Sequence, residues 1–123
     1  MKISTIFLII AILIFSQCQK IEENHLLGKW RTIEVLEQNQ PLTVDVEQIY
    51  IQFTPTYYEF HSTLKHKEAG SYFLQSNLLF TKDTIQQEAL EKAVEITKLT
   101  TDSLFIRMNE KGMERIWKMV KVE

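Results

Sequence analysis

The sequence predicts an all-β protein, a small antiparallel up-and-down barrel of about eight strands with one short helix near residues 84–91. From Gly28 onward, short segments that alternate apolar and polar residues recur about every ten residues, which is typical of a β-sandwich or barrel. Turn-forming residues separate these segments, and every aromatic residue after Phe15 lies within or beside one of them. Large rings on a closed sheet would supply the apolar core that so small a domain needs.

Length and composition exclude several classes of protein. The chain has 123 residues, enough for one ordinary domain, and its 45% hydrophobic and 24% charged residues indicate a globular fold. The formal net charge is -2 and the basic residues are scattered, so no nucleic-acid partner is expected. Three glycines are too few for a glycine-rich phosphate loop.

The amino-terminal segment is predicted to be a signal peptide over residues 1–17. Lys2 precedes the unbroken apolar run Ile6–Phe15, and a short exit segment follows, as in secretory signals. As a helix, this run would be about 15 Å long, or half the hydrocarbon thickness of a bilayer. A signal peptide is therefore favoured over a permanent membrane span.

Cys18, the single cysteine, ends a segment that resembles the lipobox of bacterial lipoproteins. The segment reads "FSQC", with Phe15 and Gln17 where a leucine and a small residue are usual. The resemblance implies diacylglycerol and an acyl chain such as palmitate on Cys18, a tether over 18–25 and a lipid-anchored place in the cell envelope. Two or more chains suffice for stable membrane anchoring. Gln19 is not the aspartate that retains enteric lipoproteins in the inner membrane, which favours the outer membrane. The alternative is ordinary signal cleavage that leaves a chance cysteine.

The remaining residues, 26–123, are predicted to form the barrel domain. Its strands are expected at residues 28–35, 47–53, 56–62, 69–75, 77–81, 93–99, 104–109 and 113–122. Turns are expected at Gln38–Pro41 and at "NEKG", where Gly112 can adopt a positive φ. The segment Asp83–Ala93 is rich in helix formers, and Thr84 with Gln87 could form a capping box. A short helix at 84–91 is favoured, and a long hairpin is the alternative.

The segment "LLGKW" resembles the Gly-x-Trp start of the first strand in lipocalin and calycin barrels. That resemblance implies that Trp30 plugs the closed end of the barrel and that Arg115, from the last strand, packs on its ring. A guanidinium over an indole contributes about 0.5–2 kcal/mol. Gly28 would let the chain approach this plug. The alternative is that Trp30 is simply a core residue.

A closer resemblance is to small lipocalin-like domains of bacterial envelope lipoproteins. It rests on three motifs in order, the second with a one-residue slip. The matches are Leu26, Gly28 and Trp30; then Gly70, Tyr72, Leu74, Asn77 and Leu79; then Ile96, Leu99, Thr100, Asp102, Leu104 and Ile106. Strands near six residues span only about 20 Å, so a deep pocket for a long lipid is not expected.

Alternate residues on the predicted strands would face a common interior, which they either fill or leave as a modest cavity. The expected cavity lining is Ile49, Ile51, Phe53, Tyr58, Phe60, Tyr72, Leu104 and Ile106. Two functions fit this expectation. The first is a lipid-anchored barrel that binds a small apolar or amphipathic ligand. The second is a filled barrel that acts as a protein-interaction or accessory module of an envelope complex.

Residues suited to catalysis or metal binding are sparse, and no enzyme, cofactor or metal is predicted. His61 and His66 flank a strand end without an HExxH pattern or a carboxylate partner pattern, so solvated loop histidines are favoured over a metal site. Glu34, Glu59 and Glu95 lie within predicted strands, where an outward, solvated carboxylate is the simplest interpretation. No nucleophile elbow occurs in the sequence.

Overall fold

A single antiparallel sheet forms the fold in the computed structural model, which describes residues 21–43, 45–62, 67–85 and 91–122 apart from the side chains of Glu47 and Glu110. Its strands are β1 (Gly28–Glu37), β2 (Gln40–Pro41), β3 (Tyr50–Phe53), β4 (Tyr57–His61), β5 (Lys67–Gln75), β6 (Leu78–Asp83), β7 (Glu91–Leu99), β8 (Ser103–Glu110) and β9 (Met113–Lys121). Short 3₁₀ turns cover Glu23–Leu26 and Val46–Gln48. The signal peptide predicted at 1–17 and the lipidation predicted at Cys18 lie outside the described residues.

The sheet closes on itself. From β3 to β9 each strand pairs with its neighbours in chain order, while β1 pairs with β3 on one side and with β9 on the other. The two-residue strand β2 pairs only with the end of β1. Without β2, the sheet is a closed antiparallel barrel of eight strands, which confirms the predicted fold class.

The barrel has two distinct ends, and the direction of each strand assigns residues to them. We call the end where β1 begins the base, because Trp30 there lies opposite Lys121 of β9. The other end, where Glu37 of β1 lies opposite Arg115 of β9, is the mouth. A β-bulge in β1 between Thr32 and Glu34 separates the two halves of this strand pair.

The segment predicted as a helix differs from the prediction at its described positions. Glu91 lies in β7 opposite Lys82, so the predicted helix end is wrong at that residue. Thr84 and Ile85 precede β7 without helical structure, and the Ile85 amide donates to the Asp83 carboxylate at 2.9 Å. Residues 86–90 of the predicted helix lie outside the described residues. Cross-strand pairing with β6 outweighs the helix propensity of Glu91 and its neighbours.

Two tight turns have the geometry that their sequences predict. Gln38 and Asn39 have φ of 49° and 65°, and Lys111 and Gly112 have φ of 54° and 81°. Positive φ at both central residues is the requirement of a type I′ hairpin turn, whose twist matches that of the flanking strands. The turns expected at Gln38–Pro41 and at "NEKG" are confirmed.

Side chains that alternate along the strands meet in one apolar core. Its buried members are Leu26, Trp30, Ile51, Phe53, Tyr58, Tyr72, Leu79, Ile96, Leu104, Ile106 and Met119. Gly70 brings β5 and β6 close together, since a Cβ placed there would lie 1.9 Å from the carbonyl oxygen of Lys82. No helix within the described ranges is long and apolar enough to cross a bilayer.

Candidate functional site

Trp30 seals the base of the barrel. Its side chain is fully buried, and its indole Nε1 donates to the carbonyl oxygen of Leu26 at 2.8 Å. Leu26 is itself fully buried at the end of the 3₁₀ turn Glu23–Leu26, and Ile21 packs against the same core. Part of the segment predicted as a tether over 18–25 therefore covers the base of the barrel.

The cation over the Trp30 ring is Lys121, where Arg115 was predicted. The Lys121 ammonium lies 4.5 Å from the ring centroid and donates to the carbonyl oxygens of His25 at 3.0 Å and Leu27 at 2.6 Å. Arg115 lies at the mouth, where its Nη2 is 3.6 Å from Oε1 of Glu37. The register of β9 decides this assignment, because it places Lys121 directly opposite Trp30.

Gly28 adopts a backbone conformation that favours glycine. Its φ is 120°, a value that residues with a Cβ rarely adopt, and it lies opposite Phe53 at the start of β1. The glycine is thus explained by the turn of the chain from the base into β1 as well as by close packing against the plug.

The residues predicted to line a cavity pack mostly against one another. Six of them are buried in the core, and Phe60 is half-buried against it. Those six are Ile51, Phe53, Tyr58, Tyr72, Leu104 and Ile106. Ile49 is buried beside β1, where its carbonyl accepts from the Thr32 amide at 3.0 Å. The rings of Phe53 and Tyr72 meet edge to face at 5.0 Å, and the Tyr72 hydroxyl donates to the Thr54 carbonyl. The half of the barrel nearer the base is therefore filled.

Polar atoms are also buried in the interior beside aromatic rings, and they extend from Tyr58 of β4, opposite Phe53, to Glu37 at the mouth. Phe60 and Trp117 belong to strands that are not neighbours, and their rings meet edge to face across the interior at 6.0 Å. Four buried polar side-chain atoms on inward positions lack a hydrogen-bond partner in the described part of the chain. They are Thr32 Oγ1, Tyr58 OH, Trp117 Nε1 and Glu37 Oε1, the last of which is ion-paired with Arg115 although it accepts no hydrogen bond. We call these four the mouth cluster.

Acidic side chains surround the Tyr58 hydroxyl. Glu68 of β5 lies opposite Phe60, and its carboxylate pairs with the Lys92 ammonium at 3.0 Å. Asp83 is buried at the end of β6. Burial raises the pKa of Tyr58 far above its ordinary value, and the nearby Glu68 and Asp83 carboxylates raise it further. The Tyr58 phenol is therefore neutral at physiological pH and can donate a hydrogen bond.

Sequence reasoning missed most of the mouth cluster and named only Tyr58. Trp117 lies inside the strand predicted at 113–122, on the same side as Met119, so period-two alternation alone would have found it. Glu37 lies two residues beyond the predicted end of the first strand. Thr32 is in phase with Trp30, but the β-bulge that follows it shifts the inward positions of the rest of β1 and hides the inward position of Glu37.

A second concave feature lies on the outer wall between β7 and β8. It is a cleft of about 240 Å³, lined by Leu78, Ala93, Val94, Glu95, Arg107, Met108, Asn109 and Glu114. The pairing of β7 with β8 ends at Glu95 opposite Arg107, so the two strands diverge beyond that pair. No feature of the sequence indicates this cleft, because the alternating pattern of each strand continues regularly through it.

The histidines do not form a metal site in the described part of the chain. No group of three or more histidine, cysteine, aspartate or glutamate side chains there is arranged to hold a metal ion. His61 stacks on Tyr50 with ring centroids 4.4 Å apart, and His25 lies 3.6 Å from the Glu22 carboxylate. His66 lies outside the described residues.

Solved structures with the same architecture include two bacterial proteins and one insect protein. An uncharacterized protein from Bacteroides eggerthii is 14% identical, with a TM-score of 0.57 over 78% of this chain and 98% of its own. A lipocalin-like protein from Bacteroides uniformis is 13% identical, with a TM-score of 0.54 over 76% and 97%. Insecticyanin from the tobacco hornworm Manduca sexta is 12% identical, with a TM-score of 0.61 over 85% and 65%. Neither a protein-family model nor a curated protein sequence matches the chain. At these identities the likeness concerns the fold alone: a closed eight-stranded antiparallel barrel with lipocalin-like neighbours.

Proposed function

We propose that this protein is a lipid-anchored lipoprotein of the bacterial envelope whose barrel binds a small amphipathic molecule in the half nearer the mouth. The observation that carries the binding proposal is the mouth cluster. A buried polar group without a hydrogen-bond partner costs about 1–3 kcal/mol, and a bound molecule that supplies the partners would remove this penalty.

The chemistry of the mouth cluster defines the ligand. Tyr58 OH and Trp117 Nε1 are donors, so the ligand should present hydrogen-bond acceptors such as carbonyl, ether or hydroxyl oxygens. The rings of Phe60 and Trp117 would contact an apolar part of the molecule. Because the base half is filled, the ligand must be small, and one of these two rings must move to admit it.

Native mass spectrometry of protein purified from cell membranes tests the binding proposal. We expect a co-purifying small molecule that is lost, or bound at least tenfold more weakly, in Tyr58→Phe and Trp117→Phe, because each variant keeps the ring and removes one donor. Tyr50→Phe, on an outward position stacked on His61, is the matched control. A protein that carries no additional mass, with Trp117 fluorescence unchanged by membrane extracts, would contradict the proposal.

The anchor has its own test. The segment "FSQC" and the apolar run before it support lipidation of Cys18. We expect Cys18→Ser to accumulate as uncleaved precursor or to be released from membranes, as measured by membrane fractionation and intact mass. Ser16→Ala is the control and should be processed normally. If Cys18→Ser remained processed and membrane-bound, the lipid anchor would be refuted.

An interaction module is the second candidate, and the outer wall provides a specific observation in its favour. Phe73 and Phe80, on neighbouring strands β5 and β6, stack with centroids 4.7 Å apart, and Phe73 is 50% exposed. Exposed aromatic side chains are typical anchors of protein interfaces. Cross-linked purification from membranes should recover a specific partner that Phe73→Ser loses. A filled interior together with no specific partner would count against both candidates.

A further inference from the structure

The outer-wall cleft arises from an interruption of the barrel ladder. Glu95 pairs with Arg107, but the pairs that would follow, Val94 with Met108 and Ala93 with Asn109, are not formed. The Ile96 amide donates towards β6, to the Asn77 carbonyl at 2.7 Å. Since main-chain groups alternate in direction along a strand, those of Ala93 point towards β8 and so into the cleft. Backbone donors and acceptors without a strand partner are therefore available there.

The cleft combines an apolar floor with a polar rim. Val94 and Met108 are half-buried and pack against the barrel core, while Ala93 and Leu78 present exposed apolar surface beside them. The cleft has a volume of about 240 Å³ and is open to solvent on one side. A ring or a short alkyl chain fits this space.

The charges on the rim are unequal. Arg107 is paired with Glu95, whose other carboxylate oxygen accepts from the Asn77 amide at 3.2 Å. On the opposite side, Glu114 lies across from Asn109 in the β8–β9 ladder. The Glu114 carboxylate also attracts the Arg107 guanidinium, whose pKa is raised first by Glu95 and further by Glu114. One cation on the rim therefore faces two carboxylates, and the charged residues that line the cleft carry a net negative charge.

We propose that this cleft is a binding site for a small amphipathic cation, an aryl- or alkylammonium compound. Its apolar part occupies the floor over Val94 and Met108. Its ammonium group lies near Glu114 and the Asn109 side chain, and it can donate to the main-chain carbonyls of the interrupted ladder. The site is separate from the mouth cluster, and the proposal does not depend on the ligand proposed there.

Phenethylamine and 3-phenylpropanoate are suitable probes, because they share a phenylethyl skeleton and differ in the sign of their charge. We expect ¹⁵N–¹H NMR titrations to give saturable shifts at the amides of Ala93, Val94, Met108 and Asn109. The amine should bind about three- to fivefold more tightly than the carboxylate, and added salt should reduce the difference, as expected for one solvent-accessible ion pair. Equal affinities, or shifts without saturation, would overturn the proposal.

Two variants test separately how the Glu114 charge and the volume of the cleft contribute to binding. Glu114→Gln should remove the preference for the amine while leaving the affinity for neutral 2-phenylethanol unchanged. Ala93→Trp, at an exposed position, should fill the cleft and abolish binding of all three probes. Glu34→Gln, on another part of the outer wall beside Lys118, is the control and should bind like the wild type.

The location of the NMR shifts distinguishes this site from the mouth. Shifts confined to Phe60, Tyr58 and Trp117 would place the probes in the barrel interior and refute the cleft. Saturable shifts at the cleft in a Trp117→Phe protein, which lacks a mouth donor, would support the cleft whatever the outcome at the mouth.

Discussion

The contact between Lys121 and Trp30 combines charge, hydrogen bonding and packing in one side chain. The ammonium lies over the indole and donates to two carbonyl oxygens in the segment that covers the base. One cation thereby holds the first strand, the last strand and the amino-terminal turn together. The indole is held from a second side by its hydrogen bond to Leu26.

Removing this cation should destabilise the barrel. We expect Lys121→Met to lower the free energy of unfolding by about 2 kcal/mol, because a cation–π contact and charged hydrogen bonds to carbonyls are lost while the apolar stem is kept. Urea unfolding followed by tryptophan fluorescence measures the change. Arg115→Met is the matched comparison at the other end of the same strand. A larger loss for Arg115→Met than for Lys121→Met would contradict this assignment.

At single residues, the sequence predicted which side chains are buried better than it predicted which side chains contact one another. Trp30 could be placed in the interior because a large ring sits at the first strand and a Gly-x-Trp resemblance marks it. Its cation could not be identified, because Lys121 and Arg115 lie on the same alternating set of β9. Only the register of β9 against β1, a long-range property, decides which of the two meets the indole.

At the scale of elements, two positions require glycine for different reasons, one within strand β5 and one in the turn between β8 and β9. Gly70 has no room for a side chain, because a Cβ there would lie 1.9 Å from a backbone oxygen of β6. Gly112 has open space around its Cα but a φ of 81°. Steric exclusion thus operates at one site and backbone conformation at the other.

Alanine substitutions should separate the two effects. We expect Gly70→Ala to cost about 2–3 kcal/mol, because β5 and β6 must move apart and the surrounding core is closely packed. Gly112→Ala should cost about 1 kcal/mol, the penalty for a left-handed conformation with a Cβ. Thermal unfolding by circular dichroism measures both. Equal losses at the two positions would show that the close approach of β5 and β6 is not the reason why glycine is required at position 70.

The strands were predictable from alternation because each has one buried and one solvated side. The short strand β2, the bulge in β1 and the divergence of β7 from β8 were not, since they depend on pairing and leave no periodic signal. Glu91 illustrates the same point. Its neighbours favour a helix locally, whereas pairing with Lys82 places it in a strand.

For the molecule as a whole, the buried tyrosines link stability to alkaline pH. Burial raises the pKa of Tyr58 and of Tyr72, the former helped by Glu68 and the latter by Glu23. A phenol with a raised pKa in the folded state stabilises fully below its unfolded pKa of about 10, and this contribution is lost as the pH rises further. The free energy of unfolding should therefore decline above about pH 10.

Variants test which phenol is responsible. Tyr58→Phe should flatten the alkaline decline more than Tyr72→Phe, because burial raises the pKa of Tyr58 further than that of Tyr72. Urea unfolding between pH 8 and pH 11 gives the profiles. Tyr57→Phe, at an exposed position of β4, is the control. Parallel profiles for all variants would exclude the buried phenols as the cause.

The seam between β1 and β9 joins parts of the chain that are synthesised far apart in time; the Lys121 bond to His25 alone bridges 96 positions. While the polypeptide is being synthesised or exported, one edge of β1 remains unpaired until β9 is available to pair with it. A product interrupted before Met113 would expose the edges of both β1 and β8, which are templates for pairing with other chains. Truncation should therefore yield aggregates rather than a smaller barrel.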